Sequence, residues 1–158
     1  MKDYQLEYST LNPKMFDFVS RKKRAVRIIT ALRNYLGKSQ NLKRLTVLDV
    51  GASTGIIDSF LAKFFHQVTA IDIDQDAITY AKNKFKRKNL VFKVGDAMNL
   101  EFSNNSFDVV ICTQVYEHVP DTKKLFQEIY RVLKPDGICY VAAINRLWPW
   151  EPHYNLPL

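Results

Sequence analysis

Residues 46–65 read TVLDVGASTGIIDSFLAKFF, and the apolar period changes partway through them. Residues 45–50, LTVLDV, are apolar apart from Thr46 and Asp49, as a strand buried on both faces must be. From Ile56 onward the apolar positions are Ile56, Ile57, Phe60, Leu61, Phe64 and Phe65, the spacing of one helix face. A turn bounded by Gly51 and Gly55 joins the two. A strand that passes through such a turn into a helix opens a βαβ unit, and that unit commits the chain to a parallel sheet.

The alternation continues downstream. The pattern predicts strands over 67–71, 90–94, 107–112 and 138–144. It predicts a helix capped by Asp74 with Ala77, Ile78, Ala81 and Phe85 inward. Another helix runs through Leu125, Phe126, Ile129, Val132 and Leu133 and ends at KPDG. Upstream, Asn12 is placed to cap a helix with Pro13 in its first turn, and Ser20 to divide the region in two. Ala25, Ile28, Ile29, Leu32, Tyr35 and Leu36 then share a face, and Gly37 stops it. The expected fold is α/β: a Rossmann-like, doubly wound, mostly parallel sheet flanked by helices. The expected organisation is a helical cap over 1–40, a ligand-binding domain over 41–145 and a covering segment beginning at 146–158.

Composition narrows the class. A chain of 158 residues with 47% hydrophobic and 25% charged residues has the makings of one core and is not disordered. The longest apolar run, 138–144, is too short to span a bilayer, and the first ten residues lack a secretory h-region. Cys112 and Cys139 stand alone in apolar runs, which fits buried, reduced thiols and a cytoplasmic chain. No metal-ligand spacing is present, so no metal is expected. The net charge of +7 sits mostly in RKKRAVR (21–27) and KNKFKRK (82–88), whose plain reading is two solvated helix faces.

Ligands of open α/β sheets bind at the carboxyl ends of the strands. Those ends carry Gly51 to Gly55, then Asp72, then Gly95, Asp96 and Ala97, then Thr113 to Asp121. The first turn is not a P-loop, because no Lys-Ser/Thr follows Gly55. It is not a GxGxxG loop either, because those places hold Ser53 and Ile56. Yet Asp72 stands 21 positions after Gly51, near the ~20-residue offset of an acid that grips a ribose. Asp96 can accept from an adenine amino group, and backbone N–H groups at the start of the next helix suit a carboxylate. A nucleoside without pyrophosphate, bearing an amino-acid end, meets these demands, and S-adenosylmethionine is such a ligand.

VLDVGASTG, VTAIDID, VFKVGDAMNLEFSNNSFDVVICTQVYEHVPD and LFQEIYRVLKPDGICYVAAIN, taken together, resemble the class I S-adenosylmethionine-dependent methyltransferases, most closely the branch acting on small molecules, lipids and glycans. The resemblance implies that Gly51, Ser53 and Gly55 line the methionine end of the cofactor and that Asp49 holds the loop and the bound amino group. It places Asp72 on the ribose, Ile73 against the adenine, Asp96 and Ala97 at its edge, and Thr113 and Gln114 toward the amino-acid end. Ser53 and Asp136 stand where the family usually has glycine. The two last strands of the family are not found, which suggests a fragment or a sheet edge covered in an oligomer. Trp148, Trp150, His153 and Tyr154 then belong to an acceptor pocket or lid, or merely pack on the sheet.

His118 is the candidate general base and Glu117 its neighbour, both after the fourth strand; the alternative is that His118 only holds backbone. Asp108 begins its strand, away from the crevice, and reads as structural. The expected activity is methyl transfer to a small-molecule, lipid or glycan acceptor. The alternatives are an RNA acceptor tracked by the basic helices, a non-catalytic cofactor-binding scaffold, and a nicotinamide-dependent oxidoreductase, which lacks its glycine motif here.

Overall fold

The computed structural model describes residues 11–37, 39–143, 150–151 and 156–157. Five strands form one parallel sheet in the order β3-β2-β1-β4-β5: β1 (Thr46–Val50), β2 (Gln67–Asp72), β3 (Leu90–Val94), β4 (Phe107–Thr113) and β5 (Leu133–Ala142). Side chains alternate between the faces of a strand. Val47, Val68, Ala70, Val109 and Ile111 face one core with α1 (Phe18–Leu36), α2 (Ile56–Leu61) and α3 (Gln75–Lys84). Leu48, Val50, Ile71, Val110 and Cys112 face the other, with α4 (Thr122–Val132) and the segment 98–107. Burying each such Val, Leu or Ile contributes roughly 1.5–3 kcal/mol.

Helix ends follow local chemistry, with corrections to the sequence reading. Asp74 is fully buried and its carboxylate accepts from the amides of Asp76 and Ala77, both at 3.0 Å, as expected of a cap. Asn12 makes no side-chain cap bond; Pro13–Phe16 is a 3-10 turn. The break falls at Asp17, which caps Val19 and Ser20, and Ser20 lies inside α1. Gly37 ends α1 at φ 83°. Helix α2 begins at Ile56 and stops at Leu61, short of the stripe that predicted it; Phe65 is buried from the turn that follows. Tyr35 and Phe126, expected inward, are exposed because they sit at the margins of their helical stripes. The edge strand β3 alternates buried and exposed residues, and β5 is half-buried, because an edge strand lacks a neighbour on one side.

Asp108 is structural. It accepts from the Thr46 amide at 2.8 Å, the Thr46 hydroxyl at 2.7 Å and Lys134 Nζ at 2.8 Å, at the amino end of the sheet. Burial pushes its carboxyl up, but Lys134 and Thr46 outweigh this and hold it below the ordinary value. Strand β5 extends back through the KPDG turn, with a register shift opposite Phe107 and Val109. Trp150–Glu151 (β6) and Leu156–Pro157 (β7) pair antiparallel, apart from the main sheet. Trp148, His153 and Tyr154 lie outside the described residues. No described helix is long and apolar enough to cross a membrane.

Candidate functional site

The strand order reverses between β1 and β4, so the connections after these strands part and leave a crevice at the carboxyl edge. Gly51, Ser53, Asp72, Ile73, Ala97, Thr113, Gln114 and His118 line one cleft there, of about 700 Å³ including space open to solvent. Asp49, Gly55 and Asp96 are not on its wall.

The glycine turn is held by its neighbours. The amides of Gly51 and Ala52 both donate to the Ile71 carbonyl at 2.9 Å. The Ser53 amide donates to Asp72 Oδ2 at 2.6 Å, and the Asp74 amide to Asp72 Oδ1 at 2.9 Å. Asp72 thus ties the turn after β1 to the turn after β2, and burial raises its pKa against those amides. Gly51, Ser53 and Gly55 all have left-handed φ, at 87°, 49° and 70°. A Cβ on Gly51 would lie 2.2 Å from Val115 Cγ2, and one on Gly55 would lie 2.6 Å from Phe92 Cε1. Gly51 therefore presents bare backbone to the cleft, whereas Gly55 serves packing behind it.

Asp96 turns Oδ1 to the Met98 amide at 2.8 Å, while Gly95 and Ala97 on either side of it meet the cleft. Glu117 is exposed. His118 is half-buried on the wall, its amide bonded to the Val115 carbonyl at 2.9 Å.

Residues missed from the sequence come chiefly from the N-terminal segment. Met15, Arg21 and Arg24 line the cleft. Thr54 Oγ1 donates to the Met15 carbonyl at 2.8 Å, Arg24 Nη1 to Gln114 Oε1, and Arg21 Nη2 to the Met15 sulfur. The basic run is therefore not wholly a solvated face. Lys22, Lys23 and Arg27 are exposed, but Arg21 is buried and Arg24 half-buried, three apart on the inner side of α1. That spacing, with Ala25 and Ile28, was the available signal.

Behind the turn, the alternation of β1 points Asp49 toward α1 and α2. It is 2% exposed, beside Asp58 of α2, which is fully buried. Asp49 Oδ1 and both Asp58 carboxyl oxygens have no hydrogen-bond partner. Burial, and then the neighbouring Asp58, push Asp49 well above the usual carboxylate range. Burial raises Asp58 to about 7, against the lowering effects of Asp49 and Arg21. The signal for Asp58 was an acid inside an apolar helical stripe.

A methyltransferase-domain family model matches residues 48–141. The ubiquinone biosynthesis O-methyltransferase of Coxiella burnetii (strain Dugway 5J108-111) is 30% identical over 128 residues, covering 79% of this chain and 55% of that protein. The enzyme of the same name from Actinobacillus pleuropneumoniae serotype 7 (strain AP76) is 32% identical over 116 residues, covering 69% and 50%. A crystallised protein of Pyrococcus horikoshii OT3 superposes with a TM-score of 0.68 at 32% identity, covering 85% of this chain and 64% of that one. The chain belongs to the class I S-adenosylmethionine-dependent methyltransferase family. It spans about half the length of the curated relatives it matches.

Proposed function

We propose that the cleft binds S-adenosylmethionine and that the protein methylates a hydroxyl of a small molecule in the cytoplasm. The observation that carries this reading is the Asp72 carboxylate, fixed by two amides at the wall beside a turn whose backbone is bare at Gly51. The residues fit the donor. Asp72 keeps lone pairs for ribose hydroxyls, Ile73 and Ala97 offer apolar surface to the adenine, and Asp96 lies between the wall residues Gly95 and Ala97 at its edge. Gly51 and Ser53 present backbone, and Arg21 and Arg24 guanidinium charge, to the amino-acid end. Thr113 and Gln114 close that end from β4, and Asp49 supports the turn from behind.

The bound donor supplies an electrophilic methyl group on a sulfonium. This chain's residues supply alignment, exclusion of water by Val115, Val119 and Met15, and a base. His118 is the wall residue suited to take the proton from an acceptor hydroxyl. The hydroxyl acceptor is supported by relatives named ubiquinone biosynthesis O-methyltransferase.

Calorimetric titration with S-adenosylmethionine, S-adenosylhomocysteine and NAD tests the donor. Binding of the first two and not the third is expected, with at least about a tenfold loss in Asp72→Ala, as for a buried charged hydrogen bond. Binding of NAD alone, or an unchanged affinity in Asp72→Ala, sinks the reading. His118→Asn is expected to lower kcat by about 10²-fold or more with donor affinity kept.

A further inference from the structure

We propose that Asp58 is a positioning residue that shares one proton with Asp49 beneath the Gly51 turn, and that entry of the donor's cationic end expels this proton. The inference rests on the donor reading above and deepens it.

The pair and the groups facing it come from five elements. Asp49 lies on β1 and Asp58 on the first turn of α2; Arg21 reaches in from α1, and Asp72 stands at the end of β2. Cys112 of β4 also feels Asp49, and its thiol is pushed up to about 12, first by burial and then by that carboxylate, so it stays protonated. Among the described residues, two buried carboxyl groups thus meet one guanidinium, with the half-buried Asp72 close by at the cleft wall. Like charges in such a place cannot all ionise, and one carboxyl keeps a proton. Three of the four oxygens of Asp49 and Asp58 lack any partner. Two ionised carboxylates in that state would each bear a desolvation cost that the single Arg21 guanidinium cannot offset for both. A single proton between them removes a charge and supplies the missing donor.

Asp49 directly precedes Val50 and Gly51 of the cleft wall, so the pair lies behind the backbone that meets the donor. The donor carries an ammonium and a sulfonium against one carboxylate, a net positive charge. Its arrival favours the doubly ionised pair, and the displaced proton passes to solvent. The sign follows: affinity for the donor rises with pH while the unliganded pair still holds its proton. Asp58 contributes by fixing how much charge Asp49 carries, and it need not touch the donor.

The test uses the 158-residue chain and S-adenosylmethionine between pH 5.0 and 6.5, below the range where the donor's own α-amino group titrates. Wild-type affinity is expected to rise about tenfold or more across the interval. The binding enthalpy in buffers of different ionisation heat should report close to one proton released per donor at pH 6. In Asp58→Asn, both effects should collapse, to under about threefold and near zero. A wild type that binds without proton release, or an Asp58→Asn variant that keeps the wild-type slope, overturns the inference and leaves the donor reading standing. No binding at any pH overturns both. Infrared difference spectra of the wild type provide a readout independent of the variant's folding: addition of donor should abolish a protonated-carboxyl C=O band, and an unchanged band refutes the shared proton.

Discussion

Ser53 and Asp136, neither of them glycine, hold φ at 49° and 63°. The left-handed conformation is thus kept without the residue that adopts it at no cost, at roughly 1 kcal/mol each. Ser53→Gly is expected to leave stability within about 1 kcal/mol, since relief of strain and added chain entropy offset one another. Ser53→Val should cost about 2 kcal/mol or more in denaturant unfolding, because a β-branched residue fits that region worst. Gly51 is less forgiving. Its Cβ would lie 2.2 Å from Val115 Cγ2, so Gly51→Ala drives Val115 aside at the cleft wall. Donor affinity should fall at least about tenfold, and Val115→Ala in the same chain should recover part of it. A titration series of the two single variants and the double variant checks this.

At the scale of elements, the segment from Gly95 to Ser106 depends on one residue of α4. Arg131 donates to the carbonyls of Leu100 and Phe102, at 2.8 and 2.7 Å, and to Asn104 Oδ1 at 3.0 Å. Its partner Glu128 accepts from it at 2.7 Å and from the Leu100 amide at 2.7 Å. A planar fork makes this set possible, and a point charge cannot. Arg131→Lys is therefore expected to behave like Arg131→Ala. Both should speed amide exchange over 99–105 and, through Gly95 and Ala97, weaken donor binding modestly; exchange rates unchanged from wild type would refute the staple. Glu128 is an i,i+3 neighbour of Arg131, but Leu100, Phe102 and Asn104 lie 31, 29 and 27 positions away, so the staple could not be read from the sequence. The strand ends could be. Gly51, Asp72, Ala97 and Thr113 each follow an apolar run, and parallel topology brings such ends together whatever lies between them.

For the whole molecule, the buried acids set how stability varies with pH. Asp58 rises from an ordinary carboxylate value to about 7 on folding, and Asp49 and Asp72 are raised as well. A raised folded-state pKa contributes stability that is complete below the unfolded value near 4 and lost as pH climbs through the folded value. Asp108 and Glu128 shift downward and act in the opposite sense, but their contribution is already in place above about pH 5. The unliganded protein should therefore lose stability between pH 5 and 8, on the order of 2–4 kcal/mol. Asp58→Asn should flatten that fall, and saturating donor should restore stability at pH 8. Melting curves across the interval, with and without donor, decide it.

By itself, the sequence determined the alternation of strands and helices, the parallel sheet, and the row of strand ends that makes a cleft. Apolar periodicity is a local signal, and parallel topology converts it into a shared edge. Asp74 as a cap was legible for the same reason, since it acts on its own turn, and Asp108 was legible as structural from its place at the start of its strand, although its partners Thr46 and Lys134 lie 62 and 26 positions away. Only the tertiary structure decided that α1 lies across the seam with Arg21, Arg24 and Met15 on its inner side, and that Asp58 lies against Asp49. Those encounters depend on how two helices settle on one face of the sheet. The packing that settles them joins residues tens of positions apart, which no periodicity records.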